Sequence, residues 1–297
     1  MKPTARSAGA LLSVLTFFLL ICCTTMPKQL TIKNTGATFP AGTIIAARTG
    51  QPITFEALLE ALGGVRVIYV GETHTNREHH LIQTRLIEAL HDARPDLSVG
   101  MEMFDHRYDP VLALWSAGEL DREAFIEKTH WYARCAGWGF PFDLYAPIFD
   151  AIKADGIRLV GLNVPFWIPS EIKAGGLASL LPDERRMVAA EVDTGNTAHR
   201  AYLESVFQES AHHHMQSSFA FFYEAQCAWE DTMAQSIARK LGNGAMVVVI
   251  GNGHIQYKYG VPERAYKRNP VPFRTIYLAA TGSEVDLDLA DYIWVTP

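Results

Sequence analysis

Cysteine is scarce in this 297-residue chain: there are four, and two of them stand side by side at Cys22 and Cys23. The other two, Cys135 and Cys227, can pair in an oxidising compartment but make no disulfide framework, and no C-x-x-C spacing points to structural zinc. Positive charge is also short, 26 Lys and Arg against 32 Asp and Glu, for a net charge of −6. An acidic chain is a poor partner for nucleic acid, whose affinity rests on neutralised phosphates. The apolar run near the N-terminus, Ala8 to Ile21, is about fourteen residues, short of the ~20 that span a bilayer comfortably. The pair Gly251 and Gly253 lacks the third glycine of a dinucleotide-binding turn and comes too late in the chain, which argues against nicotinamide or flavin. What is present is ample apolar content, 48%, with 20% charged residues. That composition excludes disorder and suits one large α/β domain or two smaller ones.

The first 22 residues read as a secretory leader. Lys2 and Arg6 form a cationic start, and the apolar run ends in Leu19-Leu20-Ile21-Cys22-Cys23, which resembles a bacterial lipoprotein processing site. A small residue is wanted before the cut, so Cys23, preceded by Cys22, is the better lipidation candidate than Cys22, preceded by Ile21. Neither is followed by Asp, so the expectation is an outer-membrane anchor facing the periplasm. Removing residues 1–22 takes away two cations and no acid, leaving the rest more acidic still.

Beyond the leader, short apolar segments bounded by Gly or Pro read as buried parallel strands: Val65–Val70, Leu97–Met103, Ile157–Leu162 and Ala245–Ile250, with Arg274–Ala279 as a fifth and Tyr292–Val295 as an added edge. Between them lie helical patterns. Asn76 can cap a helix through Leu90, and Tyr145–Ala154 is another with Pro147 in its first turn. Strands alternating with helices imply a mostly parallel sheet flanked by helices. From Pro169 to about Leu241 only helical pattern is found, room for three or four helices where a crossover needs one. The organisation expected is a leader over 1–22, a lipidated tether and short hairpin over 23–53, an α/β domain over 54–168 and 242–297, and a small all-helical insert over 169–241.

Polar residues at four strand ends stand out. The first gives Glu72 and His74, with His79 and His80 about a turn further on; the second Glu102 among bulky apolar neighbours; the third Asn163; the fourth His254 after Gly251-Asn252-Gly253. In a parallel sheet these ends share one edge, where ligands bind. Glu72, His74, His80 and His254 supply nitrogen and oxygen donors suited to a divalent transition metal. Glu72, His74, Glu102 and His254 equally suit acid–base catalysis, with Glu102 expected to titrate high in apolar surroundings. The plainer alternatives are that Glu102 hydrogen-bonds loop amides or an arginine and that His254 caps loop carbonyls. The run Trp131 to Tyr145 is dense with rings, fit to wall a pocket for a flat ligand or simply to fill a core. His212-His213-His214 precede a stripe of Met215, Phe219, Phe222 and Gln226. The stripe reads as core; of the histidines, one or two at most can face a cofactor.

The pattern Gly71-Glu72-x-His74-x-Asn76…His80…Gln83 resembles the ChaN-like haem-binding lipoproteins, within a superfamily that holds the Tiki proteins and erythromycin esterases. Gly100-Met-Glu102-Met-Phe104, Tyr145-Ala-Pro147, Asn163-Val-Pro165, the segment Gln226 to Ala234 and Gly251-Asn-Gly-His254 extend it over roughly residues 50–280. The resemblance implies a large α/β domain with a smaller helical one, and a haem-binding role in iron uptake at the membrane. It also implies ferric haem held by a tyrosine and stacked in a homodimer, with an outer-membrane haem receptor as a candidate partner. A phenolate is a hard anion that suits ferric iron. The ligand candidates are Tyr145, Tyr223 and Tyr132, with His212, His213 and His214 beside them. Relatives that hydrolyse substrates use similar Glu-x-His and Gly-x-x-His elements, so a metal-dependent hydrolase on Glu72, His74 and His254, with Glu102 as base, is the alternative.

Overall fold

A computed structural model describes residues 28–134, 137–209 and 218–297. Cys22, Cys23, Cys135, His212, His213 and His214 lie outside the described residues.

The sheet is built from the apolar runs the sequence displays. β5 (Val67–Glu72), β6 (Ser98–Asp105), β7 (Arg158–Asn163), β8 (Met246–Gly251), β9 (Phe273–Ala280) and β11 (Tyr292–Thr296) run parallel in the order β11-β9-β5-β8-β6-β7. β5 and β8 are buried at every residue, which is why they read as continuous rather than alternating apolar runs. An antiparallel hairpin, β3 (Ile44–Ala46) and β4 (Gln51–Ile53), completes eight strands on the β11 side. A second small sheet was not foreseen. β1 (Leu30–Ile32) pairs with β2 (Thr38–Phe39) and, in parallel, with β10 (Glu284–Val285), and its Leu30 and Ile32 pack on Ile293 and Val295. Strands of two or three residues are too short to show a period.

Helices cover both faces. α1 (Phe55–Leu62) and α2 (Arg77–Ala93) lie on one side, α2 capped by the Asn76 side chain, which accepts from Glu78 N at 2.9 Å. The same layer holds α3 (Asp109–Ser116), α4 (Arg122–Lys128) and α5 (Phe142–Ala154). α5 begins three residues earlier than the sequence suggests, so Pro147 lies inside the helix rather than in its first turn. Its missing N–H leaves one helical bond unmade. Trp131, Phe142 and Tyr145 sit with Phe104, Phe125 and Phe149 in this core, so that half of the aromatic run is packing.

On the other side, α6 (Trp167–Gly175), α7 (Pro182–Arg185), α8 (Thr197–Glu209) and α9 (Phe219–Lys240) fill the interval after β7, with no strand among the described residues there. α9 returns to the sheet, packing Met233, Ala234 and Ile237 under β5, β8 and α10 (Val261–Arg268). Phe222 and Phe219 join Leu203, Tyr223 and Cys227 in a small separate core.

The chain leaves β5 toward β6, past β8, but leaves β8 toward β9, past β5. Connections that depart in opposite directions open a crevice at the carboxyl ends of the two strands. Glu72 pairs in register with Gly251 at that point.

Candidate functional site

Glu72 ends β5 at 2% exposure. Its Oε1 lies 2.7 Å from His74 Nδ1 and accepts from Tyr145 OH at 2.7 Å; its Oε2 lies 3.2 Å from His80 Nε2. Burial pushes the carboxyl upward, but the bonds and charges of His74 and His80 outweigh it and hold Glu72 at about 2. Burial pulls His74 down and is overcome by Glu72 and Glu102, so its imidazole titrates above the ordinary value. Its ring packs against Trp138 at 4.7 Å and Phe140 at 5.1 Å, and its side chain keeps 30% of its surface open.

Glu102 lies behind this pair on β6. Its Oε2 accepts from Gly251 N at 2.6 Å, and its Oε1 lies 3.3 Å from His254 Nε2. The expected upward shift is not found. Burial does raise the Glu102 carboxyl, but His254, His74 and the Gly251 amide together pull it below the ordinary value. The amide it accepts from belongs to the last residue of β8 rather than to a loop. His254 is its counterpart: burial lowers it, Glu102 and Glu230 raise it, and the balance lies at about 10.

Glycines allow the close approach. A Cβ on Gly251 would lie 3.0 Å from His74 Cε1 and 3.4 Å from Glu102 Oε2. A Cβ on Gly71 would overlap Asn252 Oδ1, because the Asn252 side chain lies over that glycine while donating to Leu278 O at 2.9 Å. His79 acts beside the site: Nδ1 accepts from Thr73 N at 2.9 Å and Nε2 lies 3.1 Å from Thr296 Oγ1. Burial holds it down to about 4.

The chain of acids and bases continues beyond the strand ends. Glu230 of α9, fully buried, places Oε1 3.2 Å from His254 Nδ1, and Oε2 3.2 Å from His199 Nε2 and 3.4 Å from Arg264 Nε. Burial opposes its ionisation, but His199 and His254 hold it far below the ordinary range. Arg264 also pairs with Asp231 and donates to Cys227 Sγ at 3.2 Å. Gln226 Nε2 donates to Glu230 Oε1 at 3.0 Å. The spacing of Gln226 and Glu230, four apart on one helical face, was the available signal. Arg264 and His199 carried none.

The other candidates are distributed as follows. Tyr145 is buried, its hydroxyl committed to Glu72, and burial with that carboxylate pushes its phenol far above the ordinary value. Tyr223 is buried, donates to Asn196 O at 3.1 Å, and is likewise raised by burial. Tyr132 is 56% exposed, its hydroxyl accepting from Phe142 N at 2.9 Å. Glu72, His74, His80 and His254 do not form a ligand set: among the described residues no group of three or more His, Cys, Asp or Glu is arranged to hold a metal ion. The physical reason is that each imidazole faces a carboxylate, His74 and His80 on Glu72 and His254 between Glu102 and Glu230, rather than a common centre.

Fold and site together define an α/β protein with a chain of buried carboxylates and histidines at the switch point of a mostly parallel sheet. The chain belongs to the ChaN family, haem-binding uptake proteins of the Tiki superfamily, whose model matches residues 58–265. Among solved structures it is similar to the cofacial haem-binding ChaN of Campylobacter jejuni, 17% identical, with a TM-score of 0.68 over 84% of this chain and 95% of that one. A mutant erythromycin esterase in its open conformation aligns at 14% identity and a TM-score of 0.48, over 81% of this chain and 76% of that one. Among curated proteins it is 20% identical to Protein RETICULATA-RELATED 5, chloroplastic, of Arabidopsis thaliana over 84% of this chain; the chain spans only 37% of that relative's length.

Proposed function

We infer that this chain binds ferric haem at the bacterial cell envelope, anchored through a lipid on Cys23, and serves iron uptake as a homodimer with an outer-membrane receptor as its exchange partner. The observation that carries the reading is membership of the haem-binding family across residues 58–265. The residues at the strand ends fit such a ligand. Trp138, Phe140 and Phe166 form a half-buried aromatic wall beside the open edge of His74. Of the three tyrosines, Tyr132 is the exposed one, whereas Tyr145 and Tyr223 are held as buried neutral phenols. Tyr132 would therefore hold the iron, and the wall would exclude water from the ring faces. The bound haem would supply a ferric centre and a large apolar surface.

The test is an absorbance titration of the full chain in detergent with ferric haem. The expected result is a saturable Soret change with whole-number stoichiometry and a high-spin, tyrosinate-like spectrum, lost in Tyr132→Phe. A featureless, non-saturating response would remove haem binding from this chain.

A second reading, a metal-dependent hydrolase using Glu72, His74 and His254 with Glu102 as base, is favoured by the 2.7 Å His74–Glu72 pair with its partly open ring. It requires the ion pairs to reorganise around a divalent ion. Elemental analysis of protein purified without chelator tests it: equal metal content in the native chain and a His74→Ala/His254→Ala variant would end it.

A further inference from the structure

The N-terminal strand enters the domain on the same edge as the site. Gln29 O accepts from Gly282 N at 2.9 Å, Thr31 N donates to Ser283 O at 3.0 Å, and a Cβ on Gly282 would lie 3.3 Å from Lys28 Cδ. Gly282 lies just past the carboxyl end of β9, and its neighbour Thr281 donates to Thr296 O at the end of β11. Thr296 meets His79, and His79 accepts from the amide of Thr73, which stands between Glu72 and His74. An unbroken line of short contacts thus leads from the point where the chain enters the fold to the open face of His74.

We propose that this carboxyl edge faces a lipid bilayer, with the Lys28–Gly282 corner against the headgroups and the His74 mouth opening toward the membrane. The proposal rests on the lipid anchor at Cys23 inferred above. Lys28 follows Cys23 by five residues. Fully extended, that tether reaches about 17 Å. The opposite edge carries Arg66, Asp96 and Gly244, where Arg66 Nε donates to Gly244 O at 2.6 Å. To turn that edge to the lipid, the tether would have to run down the flank of the domain past a six-residue strand of about 20 Å and the loops at its ends, which is beyond its reach. The consequence for the site is direct. A flat apolar ligand dissolved in lipid reaches the Trp138–Phe140 wall without crossing open water.

The experiment uses the full chain, lipidated in cells and reconstituted in phosphatidylcholine–phosphatidylglycerol vesicles that contain an acceptor-labelled headgroup lipid. A donor dye is placed on Thr75→Cys at the site edge or on Asp96→Cys at the opposite edge, each with Cys135→Ala. The edges are separated by a six-residue strand, about 20 Å, plus its loops. The Thr75 dye is expected to be quenched about twofold or more beyond the Asp96 dye. Equal quenching, or stronger quenching at Asp96, overturns the orientation. Inserting about twenty Gly/Ser residues after Met26 is expected to erase the difference, since such a linker spans tens of ångströms; a difference that survives would overturn it too. Flotation reads the anchor separately. A chain that fails to float with the vesicles overturns the lipoprotein reading and this proposal with it. A chain that floats with equal quenching overturns the orientation alone.

Discussion

Replacing Glu230 by Gln probes the deepest part of the charged chain. The carboxylate is fully buried and faces His254 and His199 at 3.2 Å and Arg264 at 3.4 Å. Gln keeps the shape and one acceptor but removes the charge, leaving three cationic or cation-capable groups without it. Breaking a buried pair from one side costs about 3–5 kcal/mol. Asp231 still serves Arg264 and Glu102 still serves His254, so the lower end, about 3 kcal/mol, is expected. With a urea slope of about 3 kcal/mol/M, the midpoint falls by about 1 M at unchanged slope. Tryptophan fluorescence against urea at pH 7 reads this. The alkaline limb of the stability profile is a second readout. His254 is raised from 6.5 to about 10, so its stabilisation is complete below about 6.5 and is lost as pH rises through about 10. In Glu230→Gln that loss moves to lower pH. A midpoint shift under about 0.3 M, or an unmoved alkaline limb, would refute the claim that Glu230 holds His254 and Arg264 in place.

Further consequences can be checked in the same assay. His79 is depressed from 6.5 to about 4, so the unfolded chain takes up a proton that the folded one refuses, and stability falls by about 3 kcal/mol as pH drops across that window; His79→Asn, measured over the same range, should lose this slope. Gly71→Ala drives a methyl into Asn252 and to 2.7 Å of Ile255 Cδ1, and thermal unfolding should show a loss of about 1–3 kcal/mol. Tyr145→Phe strips Glu72 of one donor and should cost about 1–3 kcal/mol in urea while leaving the ferric-haem spectrum intact; a lost spectrum in the folded variant would return the iron to Tyr145.

The central sheet was legible because buried parallel strands are written as unbroken apolar runs, and β5 to β8 fall within one or two residues of where Gly and Pro place them. The strand-end residues were legible for the same reason: Glu72, His74, Glu102 and His254 interrupt those runs at their carboxyl ends. Two things were not. β1, β2 and β10 are too short for any period, and the pairing of β1 with β10 joins segments more than 240 residues apart. Glu230, His199 and Arg264 are held by tertiary packing alone. α9 is buried around much of its circumference, so it displays no polar stripe from which a buried acid would stand out. The titration of Glu102 is not legible in the sequence, because apolar neighbours along the chain say nothing of the imidazoles that meet it in space.

The two glycines beneath Asn252 and His74 make the central strands self-aligning. Each side chain from one strand end occupies the void left on the next, as a tooth enters a gap. Sliding β8 by one residue would bring Ile250 or Asn252 opposite Glu72 in place of Gly251, and the imidazole would have nowhere to lie. Parallel strands otherwise tolerate small slips wherever both faces are uniformly apolar. Here the polar edge, rather than the oily interior, sets the alignment to the residue, and assembling the site is the same event as choosing the register.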